Sequence, residues 1–177
     1  HEQLFRLLVD SWRSNWKNPE MPFYFVQLSS LNRPSWTWFR DSQLRLMKSI
    51  PNTGMAVSSD QGDSLDVHPT HKQPVGERLG RWALNQTYGH AVTPSGPIYN
   101  NVVKEGNHLV VSFTYGDGLR TSDGKSPSCF EIAEEDGLFY PALVEIEGSK
   151  VRLSSPEVKA PRYVRYAWQP FTRANLV

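Results

Sequence analysis

The chain has 177 residues, 38% apolar and 21% charged, with 19 Lys and Arg against 18 Asp and Glu for a net charge of +1. This is the composition of a globular protein of one to one and a half domains, and the interspersed charge excludes a basic stripe for nucleic acid. No apolar run approaches the ~20 residues that span a bilayer, and the single Cys129 excludes an intrachain disulfide framework and is expected as a small buried residue.

The first predicted helix covers residues 2–17, where Leu4, Phe5, Leu8, Trp12 and Trp16 recur at three- and four-residue spacing. Residues 22–28 are almost continuously apolar, as in a strand covered on both faces. After a loop through Asn32, Arg33 and Pro34, Ser35 is the predicted N-cap of a second helix marked by Trp36, Phe39, Leu46, Met47 and Ile50. In this helix Trp36, Trp38 and Phe39 are expected in the core, and Arg40 in a structural ion pair.

Pro51-Asn52-Thr53-Gly54 breaks the helix and opens a second strand that ends near Ser58. A polar loop to Lys72 leads into a third helix over 71–88, on which Val75, Leu79, Trp82 and Ala83 share a face and Pro74 falls in the first turn. Helix, strand, helix, strand, loop, helix is the second half of a doubly wound α/β sheet. Such sheets place their chemistry in loops that leave the carboxyl ends of strands, as this loop does.

From about Gly89 the chain reads as roughly six short strands: 98–104, 109–115, 130–132, 139–146, 151–154 and 164–168. Gly106-Asn107, Asp136-Gly137 and Gly148-Ser149 are the turn signals. The expected division is an α/β domain at 1–90 and a β-rich, sandwich-like domain at 91–177. Two strands cannot cover three helices and their own edges, so missing strands from a preceding stretch and exposed apolar surface are both expected. The chain begins without Met, at His1, directly at a predicted helix, and a fragment of a longer polypeptide is therefore expected.

The polar loop contains Gly62-Asp63-Ser64-Leu65, the literal nucleophile string of the GDSL esterases, and then Asp66-Val67-His68-Pro69. A nucleophile block belongs after the first strand of that fold, whereas here a His follows the Ser by only four residues. The string is therefore read as a coincidence, and the chemical signal as Asp66-Val67-His68-Pro69.

Several further blocks surround it: Trp12-Arg13, Pro22-Phe23-Tyr24-Phe25-Val26-Gln27-Leu28, Arg40-Asp41-Ser42-Gln43-Leu44, Pro51-Asn52-Thr53-Gly54-Met55-Ala56-Val57, Lys72-Gln73-Pro74-Val75-Gly76, Ser95-Gly96-Pro97, Phe130-Glu131-Ile132-Ala133, Asp136-Gly137-Leu138-Phe139-Tyr140-Pro141-Ala142 and Val164-Arg165-Tyr166-Ala167-Trp168. Together and in this order they resemble the carboxy-terminal part of the bacterial-type sialate O-acetylesterases of the SGNH (GDSL) hydrolase superfamily, and the resemblance covers nearly the whole chain. It implies the second half of a flavodoxin-like three-layer α/β/α hydrolase domain followed by a β-rich region. The implied activity is removal of O-acetyl groups from sialic acids by a serine esterase without cofactor or metal. The implied setting is periplasmic or extracellular.

By the same resemblance His68 is the general base, and the family's Ser-containing blocks and the oxyanion hole lie outside the chain. The implied partners are an O-acetylated sialic acid or related acetylated glycan and the amino-terminal half of the same polypeptide; from charge and hydropathy, no nucleic-acid partner and no membrane span are expected. Imidazole suits the role because its unperturbed pKa of ~6.5 lets it take a serine proton and return it to the leaving oxygen. The nearest carboxylate to orient it is Asp66, although the superfamily places its Asp three residues before the His, where Leu65 stands. Asp63, Asp60 and a backbone carbonyl are the alternatives.

His68 and His71 form a His-x-x-His pair without a third ligand at suitable spacing, so no metal is expected. Asn85-Gln86-Thr87 matches a glycosylation acceptor but falls on the predicted third helix. Alternative functions are an acetylesterase acting on xylan or another acetylated glycan, and a non-catalytic glycan-binding module built on the β region.

Overall fold

A computed structural model describes residues 1–177. The chain divides into two compact units, His1–Ser95 and Gly96–Val177. Together they give a mixed α/β protein with three helices and three sheets. No helix is long and apolar enough to cross a membrane.

The first unit is built on two parallel strands, β1 (Phe23–Val26) and β2 (Thr53–Ala56), paired from Phe23↔Thr53 to Val26↔Ala56. Helix α1 (Glu2–Asn15) precedes β1, and α2 (Trp36–Ser49) connects the two strands. Alternation along the strands decides which helix each residue meets. Phe23 and Phe25 turn toward α1, where Phe5 lies 6.0 and 4.9 Å from their rings and Trp12 lies 6.0 Å from Phe23. Val9, Leu46 and Ile50 close the core on that side. Thr53 Oγ1 bonds the carbonyls of Met47 and Ile50 at 2.9 and 2.7 Å, which seals the end of α2 against β2.

The opposite face meets α3 (Gln73–Trp82), with Pro74 in its first turn. Trp82 lies against Gly54, where an added Cβ would fall only 2.5 Å from the indole, and its Nε1 donates to the Met55 carbonyl at 3.0 Å. Only glycine leaves room for that approach. Beyond Trp82 the expected helix widens into a π-helical turn, Ala83–Thr87. There Tyr24 and Thr87 share a hydroxyl hydrogen bond of 2.7 Å, and the Asn85 amide donates to the Val92 carbonyl at 2.9 Å.

Three expectations are corrected in this unit. The apolar stripe of α1 is only partly covered: Leu4 is 71%, Trp12 50% and Trp16 72% exposed, because a two-stranded sheet is wide enough for the Phe5 and Val9 line alone. For the same reason β1 is half-buried rather than covered on both faces, while all four residues of β2 are buried. Ser35 sits at the start of α2 in a helical conformation without capping through its side chain, and the Trp36 N–H is instead bound by the Arg33 carbonyl at 2.9 Å.

The second unit is a pair of antiparallel sheets. Strands β3 (Ile98–Glu105), β4 (His108–Thr114), β7 (Leu143–Glu147) and β8 (Lys150–Ser154) form one, in the order β3-β4-β8-β7. The hairpins turn at Gly106-Asn107 and Gly148-Ser149, as their residue types predict. Strands β5 (Phe130–Ala133), β6 (Phe139–Pro141) and β9 (Tyr163–Tyr166) form the other, with β5 in the centre.

Their inward side chains share one core: Leu109 and Val111 from β4, Val151 and Leu153 from β8, Phe130 and Ile132 from β5. This alternation is the signature of a sandwich. Tyr166 stacks on Phe130 at 4.3 Å, accepts the Leu176 N–H at 2.9 Å, and is pushed up to about 12 by burial. The predicted strand 139–146 is in fact two strands. The chain leaves one sheet for the other at Ala142, whose N–H donates to the Phe130 carbonyl at 3.0 Å, a corner that alternation alone does not reveal. Cys129, expected as buried, is only partly so.

Candidate functional site

The polar loop leaves the carboxyl end of β2 and is pinned at once to the loop that leaves β1. Buried Ser58 donates to the Gln27 carbonyl at 2.6 Å, and fully buried Ser30 donates to the Ser59 carbonyl at 2.6 Å. A single turn of 3-10 helix, Ser59–Gln61, follows. Gly62 then passes so close to Ser30 that a Cβ would lie 2.3 Å from its carbonyl oxygen, and the Asn32 N–H reaches the Ser64 carbonyl at 3.1 Å. The root of the loop is therefore rigid, while the segment beyond it is exposed.

Within that segment successive Asp residues fold the backbone on itself. Asp63 Oδ1 accepts the N–H groups of Leu65 and Asp66 at 2.8 and 3.2 Å. Asp66 Oδ1 accepts the His68 N–H at 2.8 Å and lies 3.1 Å from His68 Nδ1. Such Asx turns preorganise a loop without secondary structure. The carboxyl of Asp66 is held below its usual range, first by the backbone N–H of His68 and then by the imidazole. With Asp66 on Nδ1, the neutral tautomer carries its proton there and presents Nε2 as the acceptor. The His68 side chain is 85% exposed, so that nitrogen faces solvent.

Of the three candidate carboxylates, only Asp66 meets His68. Asp63 is spent on the backbone, and Asp60 is held by Arg78 through two bonds of 2.6 Å. Ser64 makes no hydrogen bond to His68, although it is four residues away. His71 Nδ1 lies 2.9 Å from Gln61 Oε1, and no group of three or more His, Cys, Asp or Glu side chains is arranged to hold a metal ion. Trp36 is buried as expected, whereas Trp38 is 65% exposed and Phe39 partly so, which corrects the assignment of this cluster to the core. Arg40 is buried, and burial lowers its pKa.

Sequence reasoning missed Ser30, Gln61, Gly62 and Arg78 as the residues that shape the loop. Only Gly62 carries a local signal, a glycine amid polar residues. Arg78 lies eighteen positions beyond Asp60, on the next helix, and no spacing rule connects them.

Burial pushes the Asp60 carboxyl up, but the hydrogen bonds from Arg78 and Gln61 outweigh it, leaving a net depression. A depressed carboxyl contributes stability above its unfolded pKa of ~3.9 and loses it as pH falls through the folded value. Carboxyl 13C NMR on the chain is therefore expected to show Asp60 titrating below the unperturbed carboxyls. Arg78→Met should bring that midpoint back up.

No protein-family model and no curated protein matches the chain. Among solved structures it is similar to the crystal structure of a novel carbohydrate acetylesterase from Xanthomonas citri, with 32% identity and a TM-score of 0.94 over 99% of this chain and 42% of that one. The chain thus shares the fold of a part of that carbohydrate acetylesterase and spans less than half of its length.

Proposed function

We propose that these residues form the carboxy-terminal part of a carbohydrate O-acetylesterase of the SGNH type, with His68 as its general base and Asp66 as the carboxylate that orients it. The supporting observation is an imidazole whose Nδ1 faces a carboxylate at 3.1 Å, on a loop at the carboxyl end of a parallel strand. The likeness of 99% of the chain to part of a carbohydrate acetylesterase supports the same reading. The first unit then supplies the second half of a flavodoxin-like domain.

In this mechanism a Ser hydroxyl from a segment outside residues 1–177 attacks the acetyl carbonyl while His68 Nε2 takes its proton. Asp66 stabilises the imidazolium, which returns the proton to the sugar oxygen as the C–O bond breaks. Water, deprotonated in turn by His68, releases acetate from the acyl-enzyme. Exposed Leu4, Leu7, Trp16 and Trp38 and the open edges of the two-stranded sheet support an amino-terminal segment that adds strands and covers these side chains.

Within acetylated glycans the proposed substrate is an O-acetylated sialic acid, and the proposed setting periplasmic or extracellular. Acetate release by the longest polypeptide that carries these residues is the test. Its kcat/KM is expected to be higher on O-acetylated sialic acid than on acetylated xylan. The reverse order transfers the assignment to xylan, and no release from either removes the esterase reading.

A further inference from the structure

Nine residues, 62–70, separate Gln61 from His71, and His68 is among them. Side chains close the base of this segment. His71 Nδ1–H donates to Gln61 Oε1 at 2.9 Å, and Gln61 Nε2 donates to Asp60 Oδ2 at 2.7 Å. Both Asp60 oxygens receive Arg78 N–H groups at 2.6 Å, and Arg78 Nη1 also donates to the Val57 carbonyl at 2.7 Å. One relay therefore runs from α3, through the stem that leaves β2, to the stem that enters α3.

We propose that Arg78, Asp60, Gln61 and His71 form a clasp that positions His68 by closing the base of its loop. The proposal rests on His68 as base and deepens that reading, since it gives the second His of the His-x-x-His pair a positioning role in place of metal ligation. Its physical content is entropic. Joining the ends of a flexible loop costs conformational freedom, and a clasp made before substrate arrives removes that cost from the reaction. The planar fork of Arg78 suits the anchoring step because it meets a carboxylate through two parallel bonds while a third N–H holds a backbone carbonyl. The Asx turns at Asp63 and Asp66 shape the loop internally, and the bonds from Ser30 and Asn32 hold the stem that leaves β2, while the clasp ties the stem that enters α3, at His71, to the fold.

The test uses Gln61→Ala, His71→Ala and their double variant, with His68→Ala alongside, in the longest polypeptide that carries these residues. Each single clasp variant is expected to lower kcat about tenfold with KM within about twofold, since it misplaces the base without touching substrate. The double variant should be no worse than either single one, because all remove the same hydrogen bond. His71→Asn, which keeps an N–H donor near the Nδ1 position, should restore most of kcat.

On the 177-residue chain, the same variants should speed amide hydrogen exchange across residues 62–70 and leave exchange in β2 unchanged. Wild-type kcat in Gln61→Ala and His71→Ala, beside an inactive His68→Ala, overturns the clasp and leaves the base in place. A silent His68→Ala overturns the base instead. Exchange then decides the clasp by itself, and unchanged rates across 62–70 overturn it.

Discussion

Replacing His68 with alanine is expected to lower acetate release by the longest polypeptide carrying these residues by about a hundredfold to ten-thousandfold, the range spanned by a lost general base. The effect should fall on kcat, because in the proposed role the imidazole acts on a proton in flight rather than on the bound sugar. Asp66→Asn separates orientation from base strength. An amide keeps an oxygen within reach of the His68 N–H and Nδ1 but carries no charge to stabilise an imidazolium, so a smaller loss than that of His68→Ala is expected. Steady-state kinetics of the two variants check both statements. Equal activity of wild type and His68→Ala would dismiss the base, whereas loss in Ser64→Ala would restore the literal Gly-Asp-Ser-Leu string as the nucleophile.

Trp82→Ala is expected to destabilise the first unit by about 3–5 kcal/mol, the cost of removing a large buried aromatic and leaving its cavity. Trp82 is 4% exposed, covers Gly54, and is the donor to the Met55 carbonyl. The other side of the sheet buries Val9, Leu46 and Ile50 together with Met55, which alternates with Gly54 and so points away from α3. Gly54→Ala tests the same contact from the strand: its Cβ would meet the indole at 2.5 Å, and this overpacking is expected to cost about 1–3 kcal/mol. Because the clash exists only while the indole is present, the double variant should be more stable than the sum of the two losses predicts. Urea unfolding followed by far-ultraviolet circular dichroism measures all three. A loss below about 1 kcal/mol in Trp82→Ala would show that the indole is not the keystone of this face.

The loop illustrates how far spacing reaches. Asp66 and His68 are two positions apart, so their meeting is a local event, and Asp63 turns the backbone just ahead of them for the same local reason. The assignment of Asp60 was open at the sequence level because its partner, Arg78, approaches from the next helix. Ser30 and Gly62 meet across two loops brought side by side by the parallel pairing of β1 and β2. In the β region the turns at Gly106-Asn107 and Gly148-Ser149 were legible, yet the corner at Ala142 was not, since no glycine or turn pair marks it and the chain changes sheets within a continuous run of strand-forming residues.

By itself the sequence determined what depends on near neighbours: three helices, two parallel strands, the two hairpin turns, and the Asp-x-His pair that carries the proposed chemistry. Periodicity, turn residues and short side-chain-to-backbone bonds act over a few positions and are written in order along the chain. The tertiary structure alone decided which apolar residues of α1 find cover, that Asp60 faces Arg78, and where the chain crosses between sheets. Those outcomes depend on the width of a sheet and on the meeting of segments distant in sequence, and neither is encoded in any local run of residues.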